Sequence, residues 1–268
     1  MLTRFHKMQG LGNDFVVIDA RDVAITLDDR HTRALANRRT GIGCDQVILI
    51  GPSKTADVRM RIWNADGSEV EACGNATRCV PVLLGGDCTI ETAGGLLSAQ
   101  LADGGASVDM GQPRFEWSEI PLAYAMDTST LPVGWGELEY PAAVSMGNPH
   151  LVFFVDDIDA VPLGELGPDI EHDPLFPNRI NVNIATIIEP GHVKMRTWER
   201  GAGLTLACGT GACATFAAGR RLGKLSPEAK LDLPGGSLTL AEGTDGHLLM
   251  SGPAHHVFTG EIDLEHLV

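Results

Sequence analysis

The sequence predicts an α+β protein of two homologous domains related by a pseudo-twofold axis, each a curled sheet with a buried helix. Three observations carry this. The stretches "WNADGSEVEACGNATRC" at 63–79 and "WERGAGLTLACGTGAC" at 198–213 both set a Trp ten positions ahead of an Ala-Cys-Gly turn. One offset of 135 residues carries Trp63 onto Trp198 and Cys73 onto Cys208, and it also carries Asn13 onto Asn148 and Gln46 onto Asn181. Between these blocks, short alternating apolar runs are punctuated by Gly and Pro, as in strands joined by turns. A period of half the chain is too long for a solenoid and reads as duplication.

The pattern places strands near 15–19, 46–50, 58–63, 89–92, 96–101 and 106–110. Their second-half counterparts lie near 151–155, 181–188, 192–198, 230–233, 237–241 and 247–251. Past the cysteines the offset grows to 141, where Gly94-Gly95 meets Gly235-Gly236 and Gly111 meets Gly252. Helices are expected at 28–38, 75–84 and 210–222. The last, "TGACATFAAGRRL", is small and apolar on most faces, as suits a helix buried against a curled sheet. Pro81 shortens its first-half equivalent. The stretch from Pro113 to Pro141 reads as the connection between domains spanning 1–117 and 118–254.

Hydrophobic residues make up 44% of the 268 and charged residues 21%, which suits a globular chain with a core in each domain. A net charge of −15 argues against nucleic-acid partners and anionic membrane surfaces. No apolar run approaches the length of a membrane span, and "MLTRFHKMQGLGNDF" lacks a signal-type apolar region, so the cytoplasm is expected. The six cysteines do not have zinc-site spacing: five residues separate Cys73 from Cys79, and no His lies close to Cys208 and Cys213. No metal is expected. The thiols are then either inert and buried or reactive.

Each repeated cysteine follows a strand and turn and directly precedes a helix. Backbone N–H groups at a helix start favour an anion, so they can stabilise a thiolate or a substrate carboxylate. Two such thiols on opposite faces of one carbon can invert it, one removing a proton while the other supplies one. Asn13, Gln46, Asn64, Asn148 and Asn181 are neutral groups that could hold ammonium and carboxylate. Singly each is at home in a turn; as the pairs Asn13/Asn148 and Gln46/Asn181 they point to a site. The repeat breaks where Asn64 meets Glu199, Ala65 meets Arg200 and Phe15 meets His150. Glu199 and Arg200 are either a surface ion pair or a clamp for a distant ammonium and carboxylate, and His150 either a strand-end histidine or a group tuning a thiol.

At these residues the sequence resembles the diaminopimelate epimerase family. The similarity runs through "MQGLGNDFVVID", "GIGCDQVILI", "NADGSEVEACGNATRC", "SMGNPH", "ERGAGLTLACGTGACAT" and "SGPAHHVFTGEI", essentially the whole chain. The resemblance implies two similar domains, each a curled β-barrel-like sheet around a central helix. It also implies that the C-terminal strand, about 255–268, completes the first domain. It implies epimerisation of LL-2,6-diaminopimelate to the meso isomer, in lysine and peptidoglycan precursor synthesis, without pyridoxal phosphate, other cofactor or metal. Cys73 and Cys208 become the acid/base pair; substrate contacts fall on Asn13, Gln46, Asn64, Gly74, Asn75, Asn148, Asn181, Glu199, Arg200, Gly209 and Thr210; His150 and Glu199 tune the thiols. A homodimer is implied, although Phe258 stands where a tyrosine is often linked to dimer contacts. The competing readings are a two-thiol racemase of proline or hydroxyproline, whose substrates would leave Glu199 and Arg200 without partners, and a non-catalytic thiol-redox switch.

Overall fold

The computed structural model describes residues 2–70 and 73–267. The chain divides into two compact units, one running to Val108 and resumed from Gly252, the other Asp109–Ser251. Each contains a mixed sheet that repeats the other's pairing register. In the first unit Asn13–Asp19 runs parallel to Gln46–Gly51 with Phe15 opposite Gln46. Gln46–Gly51 is antiparallel to Val58–Asn64 with Val47 opposite Trp63, and Val58 lies opposite Ile90 of the parallel strand Cys88–Thr92. In the second unit the equivalent pairs are His150 with Asn181, Val182 with Trp198, and Val193 with Leu231. Shifted by the sequence offsets these are the same pairs, so the duplication is structural.

Among the described residues four α-helices accompany the sheets: α1 (Asp29–Ala36), α2 (Gly74–Leu84), α3 (Leu163–Glu171) and α4 (Gly209–Arg221). Asp28 caps α1 by accepting from the amides of Arg30 and His31. Helix α2 carries Pro81 in its last turn and stops at Gly85, whose φ of 75° is the left-handed geometry glycine tolerates. Helix α4 begins Gly-Thr-Gly-Ala and runs through Cys-Ala-Thr-Phe-Ala-Ala; small side chains let it lie close against strands Ala142–Ser145, Pro149–Phe154, Asn181–Glu189 and Gly236–Glu242. Helix α2 does the same against Leu2–Gly10, Gly95–Ala102 and His255–Asp263. In each unit a sheet thus curls around one buried helix. Alternation puts Leu151, Phe153, Val182 and Ile184 on the face away from α4, where they form a core with Leu163 and Ile170 of α3. The first-unit equivalent joins Val16, Ile18, Val47 and Leu49 to Leu35 of α1.

Two sequence-based expectations need amendment. The stretch 113–141 is no bare connection: Ile120, Leu122, Leu131 and Leu138 enter the core of the second unit, and Gly134–Trp135 pairs with Leu138–Glu139. Helix α3 was not foreseen, because Gly164, Gly167 and Pro168 obscure its periodicity. Its position is nevertheless that of α1 displaced by 135 residues. The C-terminal strand His255–Asp263 pairs antiparallel with Leu2–Gly10 and so belongs to the first unit. Among the described residues no helix is long and apolar enough to cross a membrane.

Candidate active site

Cys73 and Cys208 are the N-cap residues of α2 and α4, both in extended backbone geometry, and neither side chain caps the helix backbone. A cysteine is a poor cap where Ser, Thr, Asp or Asn would satisfy first-turn amides. The two helices that carry these cysteines therefore present first-turn N–H groups beside a sulfur. Thr77 returns its amide and hydroxyl to the Cys73 carbonyl, each at 2.9 Å, which fixes the turn.

In the first unit a two-residue turn, Leu11 (φ 56°) and Gly12 (φ 81°), delivers Asn13 to the start of its strand. Asn13 Nδ2 lies 4.0 Å from Cys73 Sγ. Gln46 and Asn64, opposed across their strands, meet through Gln46 Nε2 donating to Asn64 Oδ1 at 3.0 Å. Asn64 Nδ2 donates on to Ser68 at 3.2 Å. Gln46 Oε1 is buried and has no hydrogen-bond partner among the described residues, an acceptor awaiting a donor. Gly74 and Asn75 lie in the buried first turn of α2, where Asn75 Oδ1 accepts from the fully buried Arg78 at 2.9 Å.

In the second unit a polar chain converges on Cys208. Thr210 Oγ1 lies 3.6 Å from Cys208 Sγ, and Asn148 Nδ2 donates to that hydroxyl at 3.3 Å. Asn148 Oδ1 meets His150 Nε2 at 3.0 Å, and His150 Nδ1 meets Asn183 Nδ2 at 3.2 Å. Glu199 flanks the sulfur and accepts from Thr205 Oγ1 at 2.6 Å. Burial pushes the Cys208 thiol well above its usual range; Glu199's charge pushes the same way, while the Thr210 hydroxyl and Gly211 amide oppose it. Burial likewise raises Glu199, opposed by its hydrogen bonds with Thr205 and Cys208. His150 is wholly buried and driven down to about 3, by burial first and then by the charge of Arg200, so it is a neutral ring at working pH. Among the described residues it is linked to the thiol through Asn148 and Thr210.

Asn181 sits opposite His150 and is committed to the backbone: Nδ2 donates to Pro149 O at 2.8 Å and Oδ1 accepts from Arg200 N at 2.9 Å. Arg200 is exposed, and among the described residues its guanidinium bonds only to Asn178 O at 2.8 Å. Glu199 and Arg200 therefore form no ion pair with each other, and the fork of Arg200 faces solvent. Gly209 opens α4. By contrast, Cys44 and Cys79 are thiols pushed up to about 12 by burial and are inert packing groups.

Sequence reasoning missed Asn183, Thr197, Thr205 and Glu171. Glu171, at the end of α3, is 2% exposed and binds the Trp198 indole at 2.8 Å and the Gly201 amide at 3.0 Å, gripping the turn that holds Arg200. Its signal was the same offset that locates α3. For Asn183 the signal was a polar residue in a strand whose first-half counterpart is Ile48.

Known proteins match this arrangement over almost its full length. The family model described as diaminopimelate epimerase matches residues 5–116 and 142–257. Proteins named diaminopimelate epimerase from Zymomonas mobilis subsp. mobilis and Rhizorhabdus wittichii are 64% and 60% identical, the first over 98% of both chains and the second over 98% of this chain and 97% of its own. In fold, the crystal structure of a hydroxyproline epimerase from Agrobacterium vitis is similar at a TM-score of 0.68 and 16% identity, over 97% of this chain and 92% of that one. With a cysteine at the N-cap position of one helix in each of two register-matched halves, and identity at this level along the whole chain, the protein belongs to the diaminopimelate epimerase family.

Proposed function

We propose that this chain interconverts LL- and meso-2,6-diaminopimelate without a cofactor, with Cys73 and Cys208 as paired acid and base. The observation that carries this reading is the repeat-related placement of the two cysteines, each at the N-cap position of a helix whose first-turn amides can hold the substrate carboxylate as it gains enolate character. The names of the close relatives support the substrate.

One sulfur, as thiolate, takes the α-proton; the other, as thiol, delivers a proton to the opposite face, so the stereocentre inverts and each sulfur exchanges its state. Burial holds the Cys208 thiol above its usual range, so its thiolate needs stabilisation from the groups around it when it forms. In this reading Asn13, Asn64, Gly74, Asn75, Asn148, Gly209 and Thr210 are the contacts of the reacting amino-acid head. The buried Gln46 Oε1 supplies an acceptor for the ammonium group. Asn181 holds the Arg200 backbone, the Arg200 fork takes the distal carboxylate, and Glu199 serves both the distal ammonium and the Cys208 thiol. His150 acts as a neutral relay of orientation. A cytoplasmic homodimer with no nucleic-acid or membrane partner fits the charge of −15 and the family.

The test is isotopic. In D2O, starting from the pure LL isomer, the meso product should carry deuterium at the inverted carbon from its first appearance, while remaining substrate stays largely unlabelled. Mass spectrometry of the separated isomers at low conversion reads this directly. Original hydrogen retained in the first product would rule out two opposed thiols, and turnover of hydroxyproline in place of diaminopimelate would overturn the substrate assignment.

A further inference from the structure

The buried polar chain behind Cys208 has a direction, and the direction originates at Asn183. This residue is fully buried, and all of its hydrogen-bonding groups on the amide are engaged. Nδ2 donates to the Leu151 carbonyl at 2.8 Å, while Oδ1 accepts from Thr197 Oγ1 at 3.0 Å. A main-chain carbonyl can only accept, so the amide orientation is settled by the backbone. The second Nδ2 hydrogen then faces His150 Nδ1 at 3.2 Å, which must be the accepting nitrogen. A neutral ring with Nδ1 accepting carries its proton on Nε2 and donates to Asn148 Oδ1 at 3.0 Å. Asn148 then turns Nδ2 to Thr210 Oγ1, and the hydroxyl, already an acceptor, has its own proton left for Cys208 Sγ at 3.6 Å.

The fold does not require this chain. At the repeat-related positions the first unit has Phe15, Ile48 and Ile62 where the second has His150, Asn183 and Thr197, all six at most 3% exposed. Ala76 likewise stands where α4 has Gly211, whose missing Cβ leaves room for Asn183 Oδ1. An apolar solution exists in the same protein, yet the second half buries polar groups, which is unfavourable unless every member is satisfied.

We propose that Asn183 is a positioning residue that sets the polarity of this relay, so that Thr210 donates its hydrogen bond to the sulfur of Cys208 and stabilises the thiolate when it forms. The inference rests on the assignment of Cys208 as an acid/base group. The charged and titratable groups around the relay are few. Glu199 flanks the sulfur and Arg200 acts on His150, whereas Arg220 pairs with Glu242 at the far end of α4.

Two variants and one direct measurement test it. Asn183→Asp replaces the donor to His150 by an acceptor; Asn183→Ile with Thr197→Ile copies the first unit. In both, the midpoint for iodoacetamide alkylation of Cys208, read by peptide mass spectrometry, should rise by roughly one pH unit, and kcat should fall about tenfold or more with the alkaline limb of its pH profile displaced upward. Folded variants with an unchanged alkylation midpoint would overturn the proposal, since a packing role leaves that midpoint in place. In the parent protein, 15N NMR should show His150 protonated at Nε2; protonation at Nδ1 overturns the proposal whether or not either variant folds. Variants that show the displaced alkylation midpoint, made in a parent that does not turn over diaminopimelate, would refute the functional reading and leave the relay intact.

Discussion

Gly211→Ala tests the packing that gives the second cysteine helix its surroundings. A Cβ at Gly211 would lie 2.5 Å from Asn183 Oδ1, 3.2 Å from Thr197 Oγ1 and 3.3 Å from Cys208 Cβ. An ordinary contact is about 3.5 Å, so Asn183 must retreat by roughly 1 Å. The residue is enclosed by its own hydrogen bonds and by Leu151, so retreat breaks the bond to Thr197 or the one to His150. Losing a buried hydrogen bond costs about 1–3 kcal/mol and overpacking about 1–3 kcal/mol more, against a helix-propensity gain of up to about 1 kcal/mol. The net destabilisation is on the order of 1–6 kcal/mol, and each kcal/mol lowers Tm by about 2–4 °C in a chain of this size. Thermal unfolding followed by circular dichroism measures it. Gly51→Ala is the control, because a Cβ there meets nothing within 4 Å. If Gly211→Ala matched the parent in Tm and kcat, the Asn183–Thr197 pair would not be held as described.

Other substitutions probe separate parts of the molecule. Replacing either Cys73 or Cys208 by Ala should abolish epimerisation with near-UV circular dichroism retained; a dispensable thiol would sink the two-base mechanism. Thr205→Val removes the donor that opposes the raised position of Glu199. Glu199 then protonates at higher pH, so the acid limb of the kcat profile should move upward; an unmoved limb would detach Glu199 from the chemistry. Arg200→Lys keeps the charge and loses the fork, with an expected fall in kcat/KM of about tenfold or more and little change in Tm. Burial alone would raise Asp14, but hydrogen bonds from Arg38 at 2.7 Å and Lys7 at 2.5 Å outweigh it and hold the carboxyl well below its usual range. A folded-state pKa depressed in this way stabilises the protein above the unfolded value of about 3.9 and is lost as pH falls through the folded one. Asp14→Asn should therefore cost on the order of 2 kcal/mol at pH 7 in urea unfolding, with the gap from the parent closing progressively below about pH 4; an equal gap at every pH would contradict the assignment.

The duplication, six strands of each half and the two cysteine helices were legible in the sequence because they depend on local period and spacing, whereas the strands Leu2–Gly10 and Ala142–Ser145 were not foreseen. Alternation marks a strand wherever one face is buried, and a constant offset survives divergence of the residues between its anchors. The same offset would have located α3 from α1, but α3 was not foreseen, because Gly164, Gly167 and Pro168 mask a helix to any reading confined to a short window. The cysteines and their neighbouring amides could likewise be named from sequence, since a helix start after a turn is a local event. What only the tertiary structure decided is how those groups are used. Asn13 and Asn148 align in sequence, yet Asn13 opens a strand after a two-residue turn, whereas Asn148 stays in the turn because the second hairpin is closed by Ser145 and Pro149. Gln46 keeps a buried oxygen with no partner among the described residues, while its counterpart Asn181 spends its amide on Pro149 and Arg200. The protonation of His150 and the hydrogen bond reaching Cys208 depend on a carbonyl at Leu151 and a side chain at Asn183, over thirty positions apart in sequence from one another. A hydrogen bond's direction depends on what lies across the sheet, and burial, which decides whether a thiol or a ring is charged, belongs to the packed whole.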